Sequence, residues 1–303
     1  MSEQNSIWYK YPGAEQTSAI TLVVCTSRVE RYWEHIVANR RALGPHDVAL
    51  CVVDSVLQDP SGVLDELEAA GVVAVCHGCN LGLSASRNRA LSLCQTRYLL
   101  FVDDDATITA EAIGAIRTAF ADGAGVVGTR LSSPSGLRVA RWFLSYGQYH
   151  YLALHRPDRP ISAWGACMGV DMSQVRRHGL AFRHELGRRG EQLESGDDTA
   201  FLRALAEAGA RVRLLGDVVC THHIAAERLR FSYLLRRAWW QGRSEVRRSN
   251  CAAGFLKELR RNLDAAATSP LRLFVGLIYT GAVAAGVVVE LASHGASRMV
   301  ARA

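Results

Sequence analysis

A chain of 303 residues is long enough to bury a sizeable core, as one large α/β domain or as one domain with a helical appendage. Hydrophobic residues make up 49% and charged residues 21% of the sequence, which argues against a disordered chain and assigns most of the folding free energy to apolar burial. The formal net charge of +6 leaves an anionic ligand, a membrane surface and nucleic acid open as partners.

Short apolar runs alternate with segments of helical length in the first part of the chain. The predicted strands are 20–25, 48–53, 72–76 and 98–102, and the predicted helices are 30–43, 60–70 and 84–94, with Ser84 available as a cap. This alternation predicts an α/β fold with a doubly wound, mostly parallel sheet, whose ligand crevice lies beyond the carboxyl ends of the strands. Asp54 and Asp103 follow directly after two of these strands.

The later sequence predicts two further strands, at 126–127 and 212–215, and a helix at 195–209. After about residue 216 the pattern becomes helical and basic, so we expect an N-terminal extension at 1–18, a sheet domain at 19–215 and a C-terminal helical extension at 216–303. Residues 273–289 carry no charge, and a helix of this length falls slightly short of a bilayer core. We expect it to pack on protein or at a membrane surface, and a membrane span stays open.

The cysteines and the N-terminus bear on the compartment. Several of the eight cysteines lie in apolar runs, which is typical of free thiols in a reducing cytosol, and the Cys76/Cys79 pair has no matching second pair to complete a zinc site. Residues 1–18 are polar and mixed, without the pattern of a secretory signal. The sequence therefore predicts a cytoplasmic protein, with contact to the inner face of the membrane left open.

The strongest chemical signal is an apolar strand that runs straight into Asp103, Asp104 and Asp105. Adjacent like charges repel each other, and a divalent cation such as Mg²⁺ or Mn²⁺ would offset that repulsion through oxygen ligands. The alternative is an acidic turn that caps the following helix. Asp197 and Asp198 form a second acidic pair at a predicted helix start, where the helix dipole alone could also favour them.

Two other segments add to this signal. Residues 80–88 combine a turn, a helix start and the guanidinium of Arg87, all of which are useful around a nucleotide. Residues His222 and His223 offer imidazole after an apolar run, although an isolated histidine pair is more often structural than metal-binding. The seven arginines between 228 and 248 suit phosphate recognition, or else simply form solvated helix faces.

The order of these motifs resembles that of the family 2 glycosyltransferases of the GT-A fold, over roughly residues 19–248. The matching segments are the strand 22–26, the strand end at Asp54, residues 80–88, Asp103 to Asp105, the turn 165–168, Asp197–Asp198, His222 and the basic aromatic segment 236–243. The sequence departs from the family at Cys167, where Asn is more usual, at Asp197, where Glu is commoner, and after Asp54, where a short polar turn is common.

The resemblance implies a role for each matching position. Contacts to a nucleotide diphospho-sugar are implied for Thr26, Asp54, Arg87, Asp103, Asp104 and Arg243, and the acceptor side is implied for Trp164, Gly165 and Ala166. The cation, Mn²⁺ or Mg²⁺, would be held by Asp105 and His222. Asp198, beside Asp197, would be the general base that takes the proton from an acceptor hydroxyl.

The implied activity is an inverting glycosyl transfer, in which the acceptor displaces the nucleotide diphosphate directly from the sugar. Two alternatives compete with it. A nucleotidyltransferase should have a glycine-rich basic loop after its first strand, whereas residues 25–30 contain no glycine. A noncatalytic nucleic-acid-binding protein would explain the basic segment 228–248 but would leave the ordered aspartates without a role. We therefore expect no nucleic-acid partner.

Overall fold

The structure is a computed structural model that describes residues 18–56, 60–134, 152–155, 159–249, 256 and 270–300. The predicted N-terminal extension at 1–18 lies almost wholly outside the described residues. The strands of the described part are β1 Ile20–Thr26, β2 Val48–Val53, β3 Val72–Cys76, β4 Tyr98–Val102, β5 Ala106–Thr107, β6 Val126–Ser132, β7 Cys167–Asp171 and β8 Val212–His222. They form one sheet in the order β3-β2-β1-β4-β7-β6-β8-β5.

Helices cover both faces of this sheet. The helices of the described part of the chain are α1 Val29–Arg41, α2 Pro60–Ala69, α3 Leu83–Leu93, α4 Ala110–Ala121, α5 Met172–His178, α6 Asp197–Glu207, α7 Phe231–Ser249 and α8 Pro270–Val300. Apolar side chains of α1, α2 and α4 pack on one face of the sheet, and those of α3, α5 and α6 pack on the other. The predicted doubly wound α/β fold with a C-terminal helical extension is therefore confirmed.

The apolar composition of the central strands matches their buried position in the sheet. β1, β2 and β4 are almost fully buried because each lies between two helical layers, and their near-continuous apolar sequences match that position. β3, β2, β1 and β4 pair in parallel, so their carboxyl ends meet at one edge of the sheet. That edge carries Asp54 after β2 and Asp103 after β4.

The second half of the sheet differs from the sequence-based prediction. β7 lies antiparallel between β4 and β6, whereas the sequence indicated a turn at 165–168 and predicted no strand in this region. β6 and β8 extend well beyond the two predicted short segments, and β8 continues through residue 216, where the sequence places the start of the helical extension. β8 has exposed and polar positions, so its apolar pattern is weaker than that of the central strands.

The predicted cap at Ser84 is wrong. α3 begins at Leu83, after Gly82 with a φ of 99°, and the hydroxyl of Ser84 donates a hydrogen bond to the Leu186 carbonyl. Glycine adopts this positive φ without steric cost, so the backbone itself turns into the helix. The bond from Ser84 instead ties α3 to the segment that precedes α6.

The C-terminal extension consists of α7 and α8, which pack closely on each other. Gly242 of α7 faces the backbone of α8 at Val283, and Gly286 of α8 faces the backbone of α7 at Trp239. Their missing side chains let the two helices approach each other at this crossing. Glu290 of α8 also forms ion pairs with Arg243 and Arg247 of α7.

The opposite face of α8 is apolar and exposed. Phe274, Leu277 and Val288 have exposed fractions of 62%, 55% and 65%. Residues 273–293 are long and apolar enough to cross a membrane, by length and composition. The inner face of α8 thus packs on protein, which is one of the two environments predicted for this helix.

The glycine crossing generates a stability prediction. A Cβ at Gly286 would collide with the carbonyl oxygen of Trp239, so we expect Gly286→Ala to destabilise the protein by about 1–3 kcal/mol through overpacking. Gly281→Ala is the matched control, because a Cβ there meets nothing within 4 Å in the same helix. Urea unfolding of both variants checks the prediction, and equal stability of the two would contradict the crossing.

Candidate functional site

A cleft of about 820 Å³ opens at the carboxyl ends of the parallel strands. Its lining brings together most of the residues that the sequence singled out: Thr26, Asp54, Arg87, Asp103, Asp104, Asp105, Trp164, Ala166, Asp197 and Asp198. The sheet topology explains this gathering, because parallel strands end at the same edge. The cleft therefore lies at the edge of the sheet where the sequence predicts the ligand crevice.

The three consecutive aspartates point to three different partners. Asp103 Oδ1 accepts a hydrogen bond from Arg87 Nη2 at 3.2 Å. Asp104 Oδ2 accepts one from the hydroxyl of Thr26 at 2.6 Å. Asp105 Oδ1 lies 2.8 Å from Nε2 of His222. The repulsion expected among these carboxylates is therefore reduced by separate partners.

Strand pairing brings His222 to Asp105 from 117 residues away. β5 follows immediately after Asp105 and pairs antiparallel with the end of β8, with Ala106 opposite His222. Arg228, in a short 3₁₀ helix at Ala226–Leu229, reaches the other oxygen of Asp105 with Nη1 at 2.5 Å. Two positively charged or hydrogen-bonding groups thus converge on one buried carboxylate.

These partners separate the acidities of Asp104 and Asp105. Burial raises the pKa of Asp104 to about 7, and the charge of Asp105 adds to this shift while the Thr26 hydroxyl opposes it. Burial acts in the same direction on Asp105, but His222 and Arg228 outweigh it and hold the pKa of Asp105 well below its usual range. At neutral pH Asp105 is therefore ionised, whereas Asp104 is only partly ionised.

The ring of His222 suits a cation ligand. Nδ1 lies 3.2 Å from the carbonyl oxygen of Ala153, which can only accept, so Nδ1 carries the proton. Nε2 faces the Asp105 carboxylate, and this contact needs either a second ring proton, which Nε2 would donate to Asp105, or a metal cation that both groups bind. Asp103, Asp105 and His222 offer ligand atoms that all lie within 4.8 Å of one another.

That donor set fits a divalent cation. Two carboxylates and one imidazole suit Mn²⁺, and carboxylates alone suit Mg²⁺. The sequence predicted Asp105 and His222 for this role, whereas the structure adds Asp103 and turns the carboxylate of Asp104 towards Thr26. The neighbouring His223 binds the hydroxyl of Thr107 and stacks on His35.

Arg87 links the two acidic motifs from within the protein. Its side chain is only 4% exposed, and its Nη1 donates to Asp197 Oδ2 at 2.6 Å while Nη2 donates to Asp103. The rings of Phe101 and Phe182 lie 5.8 and 5.5 Å from the guanidinium carbon. Burial disfavours the charge, but the carboxylates outweigh it and raise the pKa of Arg87.

The acceptor-side turn lies against this guanidinium. Antiparallel pairing of β7 with β4 places residues 164–166 beside Asp103, whose backbone N–H donates to the carbonyl of Ala166. A Cβ at Gly165 would lie 2.5 Å from Nη2 of Arg87, so only glycine fits there without displacement. The ring of Trp164 stacks on His155 with centroids 4.1 Å apart.

Asp197 and Asp198 face different environments at the start of α6. Asp197 is buried and bound to Arg87, whereas Asp198 is partly exposed and lines the cleft. Asp198 Oδ2 accepts from the backbone N–H of Gly165 at 3.0 Å, and Oδ1 accepts from that of Thr199 at 2.6 Å. The accessible carboxylate of the pair is therefore Asp198, held in place by two N–H groups.

Two residues that were predicted to contact the nucleotide-sugar, Asp54 and Arg243, bind other parts of the protein. Asp54 is buried, and its carboxylate accepts from the backbone N–H groups of Leu81 and Gly82 at 2.7 and 2.9 Å, which fixes the loop before α3. Arg243 is not among the cleft-lining residues, because its guanidinium turns to Glu290 of α8 at 2.7 Å. Its side chain thus stabilises the helix pair.

Sequence reasoning missed Arg228 as a site residue. It was visible only as one of several arginines in the basic segment, and it lies 123 residues from Asp105 in the chain. No local pattern predicts a contact between residues so far apart. The return of β8 beside β5 creates this contact.

Comparisons with known proteins identify relatives of this architecture. A family model described as glycosyl transferase family 2 matches residues 26–179. The solved structure of S. aureus TarS 1–349 with UDP-GlcNAc matches at 14% identity, with a TM-score of 0.53 and 92% of each chain covered. The mannosyltransferase PcManGT from Pyrobaculum calidifontis, solved with GDP-Man and Mn²⁺, matches at 17% identity and a TM-score of 0.52, over 92% of this chain and 80% of that one. A search of curated proteins finds no match.

The buried bridge of Arg87 generates a stability prediction. Arg87→Met leaves the carboxylates of Asp197 and Asp103 without their cation, so we expect a loss of about 3–5 kcal/mol in the free energy of unfolding. Arg203→Met is the control, since its ion pair with Glu207 is exposed and contributes less than about 1 kcal/mol. Urea denaturation measures both, and a fully stable Arg87→Met protein would show that the bridge is dispensable.

Proposed function

Because this chain belongs to glycosyl transferase family 2 and is a glycosyltransferase, we propose that it transfers a sugar from a nucleotide diphospho-sugar to an acceptor hydroxyl with inversion. The observation that carries the proposal is the meeting of two acidic motifs in one cleft: Asp103 to Asp105 on one side, and Asp197 with Asp198 on the other. The first motif suits the diphosphate and its cation, and the second suits the attacking hydroxyl.

Asp198 acts as the general base. Its carboxylate faces the cleft, and its two N–H bonds orient it without neutralising its charge. A base in this place takes the proton as the acceptor oxygen attacks the anomeric carbon, and the bond from that carbon to the diphosphate breaks on the opposite side of the sugar. No covalent intermediate is needed, because one displacement transfers the sugar and inverts the anomeric centre.

Asp103, Asp105 and His222 hold the divalent cation, Mn²⁺ or Mg²⁺. When bound, the cation supplies positive charge that stabilises the leaving diphosphate. The donor set supports Mn²⁺ through its imidazole, and the solved P. calidifontis relative was described with Mn²⁺. Asp105 keeps its charge at neutral pH because of its surroundings, so it is ready to act as a ligand.

Other cleft residues position the donor and the machinery. Thr26, Asp104 and Asp54 lie beside the carboxyl ends of β1, β4 and β2, where we place the ribose and base. Arg87 acts as a positioning residue, because its guanidinium is buried and bound to both acidic motifs. Trp164, Gly165 and Ala166 form the wall for the acceptor, next to the proposed base.

We place the enzyme in the cytoplasm, with α8 in peripheral contact with the inner face of the membrane. The exposed apolar face of α8 and the net charge of +6 both suit an anionic lipid surface. If α8 crossed the membrane, it would draw α7 into the hydrocarbon layer, because Arg243 and Arg247 of α7 are both bound to Glu290 of α8. Contact of α8 along the membrane surface avoids the cost of placing these charged groups in the hydrocarbon layer.

The assignment of the base generates a kinetic prediction. Asp198→Asn keeps the size of the side chain but cannot take the acceptor proton, so we expect turnover to fall about a hundredfold while donor affinity changes little. Turnover is measured as nucleotide diphosphate release, and donor affinity by calorimetry. Near-normal turnover of Asp198→Asn, with an inactive Asp197→Asn protein that is folded and binds donor, would move the catalytic role to Asp197.

The cation ligands generate a binding prediction. His222→Ala removes an imidazole directed at Asp105, so we expect Mn²⁺ affinity to fall by about tenfold or more. His223→Ala is the matched control, because that ring binds Thr107 instead. Titration of free Mn²⁺ by electron paramagnetic resonance follows the metal alone. A larger loss in His223→Ala than in His222→Ala would show that the ligand assignment is wrong.

A further inference from the structure

The segment that leads into α6 is bound to α7 by several hydrogen bonds. The backbone N–H of Ser195 donates to the hydroxyl of Ser244 at 3.0 Å, and the hydroxyl of Ser195 donates to Oε1 of Gln241 at 3.3 Å. One residue earlier, the carboxylate of Glu194 accepts from Nη1 of Arg247. Three residues of α7 therefore hold two consecutive residues that lie just before the proposed base.

The hydroxyl of Ser244 has a fixed direction. The residue is buried, and its hydroxyl donates to the carbonyl oxygen of Trp240 in the same helix at 2.8 Å. Because the hydroxyl proton is used within α7, a lone pair of the oxygen faces the N–H of Ser195. The position of this acceptor is thus determined by α7.

The amide of Gln241 is also held within α7. Its Nε2 donates to Oε1 of Glu245 at 2.9 Å, and its Oε1 accepts from Nη1 of Arg237 at 3.1 Å. These partners lie one helical turn after it and one turn before it. They set the orientation of the amide, so Oε1 faces the hydroxyl of Ser195.

The start of α6 depends on these contacts because it has no side-chain cap. Gly196, the residue before the helix, has a φ of 90° and offers no side chain to the first turn. Ser195, the nearest hydroxyl, binds α7 instead. The first turn, which contains Asp198, is therefore held by Arg87 through Asp197 on one side and by α7 on the other.

A direct contact with the acceptor is the alternative role for these side chains, because Ser195, Gln241 and Ser244 all line the cleft. The hydrogen bonds of Ser244 favour a positioning role. Its hydroxyl already donates to one partner and accepts from another, and the residue is only 2% exposed. Little of this side chain is left for a ligand to contact.

The crossing with α8 fixes α7 at the same place. Gly242 lies between Gln241 and Ser244 in the sequence, and a Cβ there would collide with the carbonyl oxygen of Val283 in α8. This close approach sets the height and the rotation of α7 beside the cleft. The C-terminal helix pair is therefore part of the framework that carries the proposed base.

We propose that Ser244 and Gln241 are positioning residues for sugar transfer. Through Ser195 they hold the start of α6, and so keep Asp198 in its hydrogen bond with the N–H of Gly165. The proposal rests on the proposed function, because Asp198 is the proposed base. A displacement of about 1 Å at a reacting group is enough to slow catalysis. Loss of the Ser244 contact should therefore lower turnover and leave donor binding unchanged.

Exchange of the Gly165 amide proton reports the position of Asp198 without any substrate, because that N–H donates to its carboxylate. We expect Ser244→Ala to speed this exchange about tenfold, measured by NMR on protein with labelled glycine. Thr21→Val is the matched control: it removes a buried hydrogen bond to Thr96 at the amino end of β1, away from the cleft. Equal exchange in wild type and Ser244→Ala overturns the proposal.

A double-mutant cycle with Asp198→Asn tests whether the effect passes through the base. Turnover is nucleotide diphosphate release from a nucleotide sugar that the wild-type protein uses. We expect Ser244→Ala to lower turnover about tenfold in the wild type but to change it little in Asp198→Asn, where the base is already lost. Equal falls in both backgrounds, or a raised acceptor KM with unchanged turnover, would overturn the positioning role.

Ser195→Ala is the second variant, for use if Ser244→Ala does not fold. It loses the bond to Gln241 and keeps the backbone bond, so we expect Gly165 exchange to rise about threefold. Near-normal turnover of Asp198→Asn would overturn the proposed base and its positioning together. A slow Asp198→Asn protein beside a fully active Ser244→Ala protein overturns the positioning role alone and leaves the proposed function standing.

Discussion

The buried guanidinium of Arg87 is the constraint on which the rest of the site depends. It binds Asp103 at the end of β4 and Asp197 at the start of α6, while Gly165 leaves it the space to do so. A buried arginine is tolerable only with such partners, so the three segments must occupy their places together. The spacing between Asp103 and the start of α6, which carries the proposed base, is thereby set by one buried side chain.

Sheet topology supplies the remaining alignment. The antiparallel pairing of β7 with β4 places the acceptor-side turn next to Asp103, and the pairing of β5 with β8 places His222 next to Asp105. The helices α7 and α8 then close the other side: α7 presents polar groups to the cleft, while its opposite side packs on α8. Membrane contact and catalysis would thus use different sides of one helix pair.

The first half of the fold could be predicted because buried parallel strands are continuous apolar runs, which β1, β2 and β4 are. The motif order also led to the aspartates of the cleft. β7 was missed because its sequence includes Gly169, a weak strand residue that is needed here because the ring of Phe120 leaves no room for a Cβ. Arg237 and Arg243 look alike in sequence, yet one faces the cleft and the other α8, since side-chain direction depends on tertiary packing.

The most direct test of the account is nucleotide diphosphate release from a panel of nucleotide sugars, measured with Mn²⁺, with Mg²⁺ and after complete chelation. The account predicts release from at least one donor, faster with a suitable hydroxyl acceptor, and its loss when the cation is removed. Undiminished release after full chelation would contradict the role of Asp103, Asp105 and His222. Absence of release from every donor, with and without acceptors, would contradict sugar transfer in this cleft.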